Sequence, residues 1–304
     1  MRVVIVGLGN QGRKRRAVAG GDVVGIVDPI APGADFTDIR SMPLESYDAA
    51  LVSTPDDAKI DILLWLLSHG KHVLVEKPLW VDDAHDLHAV EQAAKSGGAI
   101  CYTAYNHRFE PHFVAMRDLL ASGDLGQPYL CRMFYGNGTA RDVRNSVWRD
   151  QGPGILTDLG SHLLDTLMFW FGDLDCRFDM VMANRFENRA PDHVSFAGKG
   201  RIAFELEAAM ISWRNHFTCD VFAEKGSAHI DSLCKWGPST FTRRTRVLPS
   251  GRPPEQAVTL VQADPTWELE YNHFKTLCAQ GGPSNIPNDI EIHRHLTALA
   301  AQLG

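Results

Sequence analysis

The chain has 304 residues, of which 44% are hydrophobic and 22% are charged, and its formal net charge is −7 at pH 7. Because one domain usually takes about 100–200 residues, this length predicts two domains. A negative net charge favours neither nucleic acid nor an anionic membrane as a partner. No stretch approaches the roughly 18 uninterrupted apolar residues of a membrane span, and the first residues already have the pattern of a strand, so we expect neither a membrane protein nor a signal peptide.

The cysteines form no recognisable motif. They are scattered along the chain without a C-x-x-C pair, at Cys101, Cys131, Cys176, Cys219, Cys234 and Cys278. In a chain of this size, such scattered cysteines are typical of reduced and often buried thiols. The sequence therefore predicts a cytoplasmic protein.

The first hundred or so residues alternate short apolar runs with helical patterns, which is typical of βαβ units and a parallel sheet. The apolar runs predict strands at residues 2–6, 23–27, 49–53, 72–75 and 99–104. Apolar residues at helical spacing predict helices over 56–70 and 82–96, each ending at glycine. We therefore expect residues 1–108 to form a Rossmann domain with a doubly wound parallel sheet.

Residues 109–304 have a different pattern. Helical spacing predicts helices over 111–122, 157–171 and 290–303, whereas the apolar period becomes two from about residue 177. That alternation is typical of an antiparallel sheet with one covered face. We expect an α+β domain built on an open, mostly antiparallel sheet, with a last helix that could return to the first domain. The open face is a candidate interface for a homodimer or homotetramer, and solvent exposure is the alternative.

A glycine-rich turn directly follows the first strand. The apolar run ends in Gly7-Leu8-Gly9-Asn10-Gln11-Gly12, a G-x-G-x-x-G pattern ahead of a helix. In such a turn the first glycine bends the chain, the second admits a pyrophosphate and the third packs the helix on the strand. The phosphates lie on free N–H groups at the positive end of the helix. The pattern predicts a dinucleotide site that includes Gly7, Gly9, Asn10, Gln11 and Gly12.

Asp28 follows the second strand, 28 − 7 = 21 positions after Gly7. An acid about 20 residues after the loop usually binds the adenosine ribose. A carboxylate there repels a 2′-phosphate, so it favours NAD over NADP; an ordinary turn aspartate is the alternative. Residues 13–16 are all basic and oppose the helix dipole. They form either a solvated face or an attraction for phosphate, which leaves NADP open.

Lys77 lies at the end of the fourth predicted strand, within Glu76-Lys77-Pro78. Ligands of doubly wound folds collect beyond these strand ends. A lysine there can donate a hydrogen bond to a substrate oxygen and lower the proton affinity of a neighbouring base. A solvated surface lysine is the alternative.

Asp158, His162 and Asp165 are spaced i, i+4 and i+7 on a predicted helix, so we expect them to share one face. A neutral imidazole beside a carboxylate is suited to act as the general base for a hydroxyl that loses hydride. Gly160 between them costs the helix roughly 1 kcal/mol relative to alanine, which suggests a close approach to its backbone. Helix capping, or pairing with surface arginines, is the alternative reading of the carboxylates.

A third polar segment, Tyr105-Asn106-His107-Arg108-Phe109, follows the fifth predicted strand. Arg144, Trp148 and Arg149 could add cationic and aromatic groups to a polar pocket, because arginine forks suit carboxylates and phosphates. Simple solvation is the alternative.

Metal and acyl-transfer chemistry lack support in the sequence. His85 and His88 are three residues apart without a third ligand at metal spacing. His293 and His295 belong to the last predicted helix, where we expect them to face solvent or a subunit contact. Neither a G-x-S-x-G motif nor a Walker lysine is present.

Together these motifs resemble the glucose–fructose oxidoreductase/inositol dehydrogenase/rhizopine-catabolism (Gfo/Idh/MocA) family over nearly the whole chain. The resemblance is carried by the order and spacing of the glycine loop, Ser53-Thr54-Pro55, Glu76-Lys77-Pro78, Asn106-His107-Arg108-Phe109 and Asp158-x-Gly160-x-His162-x-x-Asp165. It implies a two-domain NAD(P)-dependent oxidoreductase that acts on a sugar, polyol or nucleotide sugar.

The resemblance also implies residue roles. His162 would be the general acid/base, Asp158 would orient it or a substrate hydroxyl, and Lys77 would bind the reacting oxygen. Further cofactor contacts would come from Ser53, Thr54, Pro55, Glu76, Lys77 and Asn106. Substrate contacts would come from Lys77, Arg108, Arg144, Trp148, Arg149, Asp158 and His162.

Two other functions stay open at this point. One is a redox-neutral reaction of the kind some NAD-dependent glycosidases catalyse, in which a sugar is oxidised transiently and then reduced again. The other is a regulatory protein that binds dinucleotide or sugar without catalysis. The presence of Lys77, Asp158 and His162 together argues against the second, since a sensor needs no proton relay.

Overall fold

The computed structural model describes residues 1–146 and 149–304, which form two compact units. The first unit comprises Met1–Asn106 and Pro265–Arg294, and the second comprises His107–Asp264 and His295–Gly304. Within the described residues, no helix is both long and apolar enough to cross a membrane.

The helices of the described residues, in chain order, are α1 (Asn10–Ala19), α2 (Asp56–Ser68), α3 (Ala84–Gly97), α4 (Pro111–Ser122), α5 (Ala140–Arg144), α6 (Ser161–Phe171), α7 (Thr266–Gln280) and α8 (Ile286–Ala300). The strands are β1 (Val3–Val6), β2 (Val23–Val27), β3 (Ala49–Val52), β4 (His72–Glu76), β5 (Cys101–Ala104), β6 (Pro128–Gly136), β7 (Phe178–Asn184), β8 (His193–Lys199), β9 (Ala203–Ala209), β10 (His216–Ala223), β11 (Gly226–Asp231), β12 (Ser239–Thr245) and β13 (Glu255–Leu260).

The first unit contains the predicted parallel sheet, with strand order β2-β1-β3-β4-β5. Strands β1, β3 and β5 are buried at every position, because both faces of the sheet are covered. The chain passes from β1 to β2 on one side and then to β3 on the other. The order therefore reverses at β1, and a crevice opens beyond the carboxyl ends of β1 and β3. The glycine loop after β1 and Ser53 after β3 both lie at this reversal.

The second unit is built on an eight-stranded sheet, with strand order β13-β12-β11-β10-β6-β9-β8-β7. Its pairs are antiparallel except for β6 and β9, which run parallel, so the prediction of a mostly antiparallel sheet is confirmed. Strand β6 near the centre was not predicted. Its exposed Tyr129 and half-buried Phe134 obscure the alternation of polar and apolar residues that identifies a strand.

Two local expectations were wrong. The predicted single helix over 157–171 begins with a π-helical turn, Leu156–Gly160, and only then continues as α6. His293 and His295 are buried rather than exposed. The imidazole Nε2 of His293 lies 2.8 Å from the carbonyl oxygen of Val81, and the ring of His295 packs edge-on against Phe178.

Candidate functional site

The glycine loop has the backbone geometry that a dinucleotide turn requires. Gly7 has φ +88°, and a Cβ there would lie 2.7 Å from the carbonyl oxygen of Ser53. A Cβ on Gly12 would lie 1.8 Å from the Gly7 carbonyl oxygen, so only glycine lets α1 start this close to β1. Gly9 has open space around it instead, and the neighbouring Asn10 and Gln11 are exposed at the start of α1. The loop thus leaves open space at Gly9, next to the start of α1, where backbone N–H groups can bind a phosphate.

Asp28 anchors this loop to the end of β2. Its Oδ2 accepts a hydrogen bond from the Leu8 N–H at 2.7 Å, and its Oδ1 accepts from Ile30 and Ala31. Burial alone would raise the pKa of this carboxyl, but the three backbone donors and the nearby Arg13 charge lower it below the ordinary value. Asp28 is therefore a structural turn residue that also carries a negative charge beside the loop.

Ser53 and Thr54 lie opposite the loop at the end of β3. The Ser53 N–H donates to the Val6 carbonyl, which ties the ends of β1 and β3 together. Among the described residues, the hydroxyls of Ser53 and Thr54 are buried without a hydrogen-bond partner, whereas the neighbouring Pro55 is exposed. Buried hydroxyls usually find a partner. Together with the open loop and the fixed carboxylate, these two groups fit a polar ligand such as a dinucleotide.

Arg15 fits neither interpretation of the basic residues 13–16, which were a solvated face or an attraction for phosphate. Its side chain is only 2% exposed, and it binds Glu76 through Nε and Glu270 through Nη1, each at 2.7 Å. Its guanidinium also stacks over the ring of Trp267, 4.3 Å from the centroid. The idea that this residue belongs to a solvated or phosphate-attracting face is therefore wrong. Arg15 instead connects α1 with the end of β4, next to Lys77.

Glu76 was predicted to contact the cofactor, and its carboxylate is the partner of Arg15. Lys77 follows β4 and is half-buried, with a cis peptide bond to Pro78. The carbonyl groups on either side of Lys77 are held by Lys59 of α2, whose Nζ donates to Glu76 at 3.1 Å and to Pro78 at 3.0 Å. Lys59 is 3% exposed and also pairs with Asp56. Sequence reasoning missed this lysine, because two of its partners are backbone carbonyls.

Asn106 is the last residue of the first segment of the first unit, and it is buried. Its side-chain amide donates to the hydroxyl of Thr266 at the start of α7, at 2.7 Å. The predicted cofactor contact of Asn106 stays a prediction beside this structural role.

In the second unit, His162 lies on the first turn of α6 and is 6% exposed. Its ring stacks on the ring of His107, with 4.2 Å between centroids and 22° between planes. Tyr135 of β6 packs edge-on against His162, 5.8 Å away. Lys235 contacts the edge of the His107 ring, with 3.2 Å between Nζ and Nε2. Sequence reasoning missed His107, Tyr135 and Lys235 as neighbours of His162, since they come from separate segments.

Asp158 lies in the π-helical turn before α6, and its side chain is 34% exposed. Arg149 is 3.7 Å from its carboxylate. Burial raises the pKa of the Tyr135 hydroxyl, and the charge of Asp158 raises it further. Asp158 is thus an accessible carboxylate close to Tyr135, which itself contacts His162.

The spacing predicted that Asp158 and Asp165 share one face of a helix, but Asp165 is buried whereas Asp158 is partly exposed. The side chain of Asp165 is 1% exposed and binds Arg108 through both oxygens, the shortest contact being 2.6 Å. Burial raises the pKa of Asp165, and the Arg108 charge opposes this rise. Arg108 thus pairs with a buried carboxylate and lies beside Phe169, and its predicted substrate contact stays a prediction. Gly160 is approached by Leu156, whose Cδ1 would lie 3.2 Å from a Cβ there.

Arg144, a further substrate candidate, is the last residue of the short helix α5. Arg144 lines a polar hollow together with Asn145, Asp150, Glu187, Asn188 and Arg189. Trp148 lies outside the described residues. Among those that are described, no group of three or more His, Cys, Asp or Glu side chains is placed to hold a metal ion.

Comparison with known proteins identifies both parts of the chain. Residues 1–105 match the model of the oxidoreductase family with a NAD-binding Rossmann fold, and residues 113–229 match the GFO/IDH/MocA C-terminal domain. The chain is 29% identical over 157 residues to inositol 2-dehydrogenase 4 of Saccharopolyspora erythraea, across 46% of each protein. It is 33% identical over 132 residues to 1,5-anhydro-D-fructose reductase of Ensifer adhaerens, across 41% of this chain and 38% of that protein.

The matched region thus spans less than half the length of these two curated relatives. The fold extends further. A levoglucosan dehydrogenase solved with NADH superposes with a TM-score of 0.85 over 99% of this chain and 96% of that one, at 17% identity. The two family models cover most of the chain in the expected order. The chain belongs to the Gfo/Idh/MocA family of oxidoreductases, and its first part has that family's NAD-binding Rossmann fold.

Proposed function

We propose that the chain is a NAD(P)-dependent dehydrogenase or ketoreductase that transfers hydride between nicotinamide and a carbinol or carbonyl carbon of a sugar, polyol or nucleotide sugar. The observation that carries the proposal is the buried His162 imidazole with the accessible Asp158 carboxylate near it, in a chain with a NAD-binding Rossmann fold. Relatives named as inositol dehydrogenase and anhydrofructose reductase support the carbohydrate class.

The proton chemistry comes from the chain's own residues. In the oxidative direction, His162 takes the proton of the substrate hydroxyl as the carbon–oxygen double bond forms, and in reduction it returns that proton. Asp158 binds a neighbouring hydroxyl or orients the substrate, and Lys77 donates a hydrogen bond to the reacting oxygen. The nicotinamide, when bound, supplies the hydride acceptor or donor. A near-neutral imidazole is suited to both directions, because its ordinary pKa is about 6.5.

The cofactor would be held by the glycine loop and by the groups opposite it. Gly9, Asn10 and Gln11 would meet the pyrophosphate, while Ser53 and Thr54 supply the buried hydroxyls. The negative charge of Asp28 favours NAD over NADP. The carboxylate can accept hydrogen bonds from the ribose hydroxyls of NAD, whereas it repels the 2′-phosphate of NADP. The same side chain holds the loop in place through Leu8.

For the substrate, we retain Arg149 as a candidate contact, because its guanidinium lies near Asp158. Arg144 and Trp148 remain further candidates. An arginine at this position suits a sugar acid or a phosphorylated sugar, so acidic substrates belong in any screen.

The decisive experiment is a screen of NAD and NADP reduction across aldoses, polyols, sugar acids and nucleotide sugars. With the substrate found, His162→Ala should lower turnover by roughly 10²–10⁴-fold, the usual contribution of a general base, while NAD affinity changes little. Unaltered turnover would remove His162 from the mechanism. Substrate conversion without net NADH would instead favour the redox-neutral reaction, and no hydride transfer across the whole panel would favour a sensor.

We further propose a homo-oligomer formed through the open face of the second sheet. Met182 on β7 is 51% exposed and Phe222 on β10 is 38% exposed. The strand register places Met182 in one row with Ser195, Glu207, Phe134 and Thr218 across the sheet. Light scattering of wild type and Phe222→Glu tests this, since a charge in an apolar contact should shift the protein toward the monomer. An unchanged mass would place the contact elsewhere.

A further inference from the structure

His107 lies between the candidate base His162 and the ammonium group of Lys235, and all three belong to the second unit. The His107 ring is 2% exposed and stacks on His162 at 4.2 Å. At the edge of this ring, Nε2 of His107 is 3.2 Å from Nζ of Lys235. Nothing in the sequence motifs had assigned a role to Lys235.

The contact with Lys235 fixes the protonation state of His107. An ammonium group can only donate hydrogen bonds, so Nε2 of His107 must be the acceptor. The neutral ring therefore carries its proton on Nδ1. Protonation at Nε2 would break this hydrogen bond and place two positive charges about 3 Å apart, at a cost that grows in a buried site. His107 thus remains neutral while Lys235 is charged.

The stacking then leaves one site for a proton. Two imidazolium rings 4.2 Å apart would repel each other, and His107 is already held neutral. A proton that enters the pair therefore resides on His162. The positive charge of Lys235, at the edge of the His107 ring, also disfavours the charged form of His162.

Lys235 is itself held in position by its neighbours. The preceding Cys234 donates its N–H at 2.9 Å and its thiol at 3.2 Å to the two carboxylate oxygens of Glu110, which is fully buried. The Lys235 ammonium lies 4.9 Å from the centroid of the Trp236 ring, and that ring packs against Tyr135. The turn that carries Lys235 is thus anchored by the residues on both sides of the lysine.

Other charged and titratable groups surround His162 as well. They are Asp158 and Asp165 on adjoining turns of its own helical segment, Arg149 and Arg108 paired with them, His107 and Glu110 on the segment before α4, Tyr135 on β6 and Lys235 after β11. The two ion pairs place opposite charges next to each other, and Glu110 points at Cys234. Lys235 contacts the edge of the ring on which His162 stacks.

From this geometry we propose that Lys235 and His107 are positioning residues for His162: together they confine the catalytic proton to His162 and keep that imidazole in its neutral form down to lower pH. The inference rests on the proposed function in so far as His162 is the base. Its physical core, the effect of Lys235 on the protonation of two histidines, can be measured without any turnover.

The test is a histidine titration by NMR on the whole protein labelled with ¹⁵N and ¹³C in histidine. Loss of one signal in His162→Gln and of another in His107→Gln assigns the two rings. In wild type, the ¹⁵N shifts should show His107 neutral with the proton on Nδ1 throughout pH 5–9. Lys235→Met should raise the pKa of His162 by about half a unit to one unit, the size expected for one charge over roughly 7 Å at an effective dielectric constant of about 40 to 80.

Two control variants separate charge from packing. Lys235→Arg keeps the charge and should leave the pKa of His162 within about 0.2 units of wild type. Lys225→Met removes a positive charge from the exposed turn between β10 and β11, which lies at the opposite end of β11 from Lys235, and should have no effect. If Lys235→Met does not fold, Lys235→Gln replaces it.

The outcomes are distinct. The inference is overturned if the pKa of His162 does not change in Lys235→Met, or if it changes equally in Lys225→Met. It is also overturned if His107 titrates within the pH range of the titration or carries its proton on Nε2. With a substrate in hand, the acidic limb of the pH profile of kcat/KM should shift upward by the same amount as the NMR pKa. If the NMR pKa of His162 changes but the acidic limb of the kcat/KM profile does not, Lys235 acts on His162 as inferred but His162 is not the base. The failure of the proposed function can therefore be distinguished from the failure of this inference.

Discussion

Replacing Arg15 with methionine should be among the most destabilising single changes in the first unit. The substitution keeps an unbranched apolar side chain and removes the guanidinium, which leaves the carboxylates of Glu76 and Glu270 without the partner that they share. Arg15 is 2% exposed and Glu270 is fully buried, so water cannot replace the lost contacts. Removal of one partner from a buried ion pair costs about 3–5 kcal/mol. Because the whole fold is stable by only about 5–15 kcal/mol, we expect Arg15→Met to be folded but marginal.

Urea denaturation followed by circular dichroism measures this loss, and Arg40→Met supplies the matched control. Arg40 also forms two ion pairs, with Asp38 and Asp61, but its side chain is 39% exposed. Exposed pairs of this kind contribute about 0–1 kcal/mol. If Arg15→Met loses no more free energy of unfolding than Arg40→Met, the buried group of Arg15 and its two carboxylates is not the connection that we describe.

A double variant tests the same reasoning from the opposite direction. Arg15→Met combined with Glu270→Met removes a buried carboxylate that Arg15→Met alone deprives of its contact with Arg15. The double variant should therefore be more stable than Arg15→Met, by at least about 1 kcal/mol, since apolar replacement of buried ionic groups is often neutral or favourable. Additive losses would show that packing rather than charge sets the cost. If Arg15→Met does not fold, Glu270→Gln provides the single variant.

Three further predictions follow from the same contacts. Asp28→Asn should weaken the binding of NAD more than that of NADP in a fluorescence titration, and an equal loss would mean that the carboxylate does not contact the ribose. Because the folded pKa of Asp28 is lowered, its stabilising charge is present above the unfolded pKa of about 4 and is lost as the pH falls through the folded value. The free energies of unfolding of wild type and Asp28→Asn should therefore converge in acid. Lys59→Met should cost about 1–3 kcal/mol in urea unfolding because two carbonyls lose their donor, against less than about 0.5 kcal/mol for the exposed Lys95→Met. Burial and the contact with Glu110 raise the pKa of Cys234 to about 12, so iodoacetamide at pH 8 should label it only after denaturation, and rapid labelling of the folded protein would contradict this placement.

Much of the first unit could be predicted because its signals are local. The apolar runs of β1 and β3 are buried on both faces, so hydrophobicity alone identifies them. Strand β6 was missed for the opposite reason. It has a row of half-exposed side chains on the open face of its sheet, with Phe134 and Leu130 among them, and its local sequence lacks the alternation of a strand. Its place beside both β9 and β10 is decided by pairing with distant segments.

The same distinction applies to the candidate site. The glycine loop, Lys77 and His162 stand out because each occupies a recognisable position in a short motif. Arg15 and Lys235 do not, since their partners lie 255 and 128 residues away in the chain. The structure also shows why the spacing of Asp158, His162 and Asp165 misled: a π-helical turn precedes α6, and Asp165 turns inward to Arg108.

The contacts that escaped prediction share one physical cause. A buried cation must find oxygen or nitrogen acceptors, because an isolated charge in the interior is too costly. Lys59 meets this need with backbone carbonyls beside Lys77, and Arg15 meets it with the carboxylate of Glu76. Each buried cation therefore fixes the segment that carries a motif residue, and its own position depends on the completed fold. Motifs can be recognised from sequence because they are local, whereas the charges that hold them in place become visible only when distant segments meet.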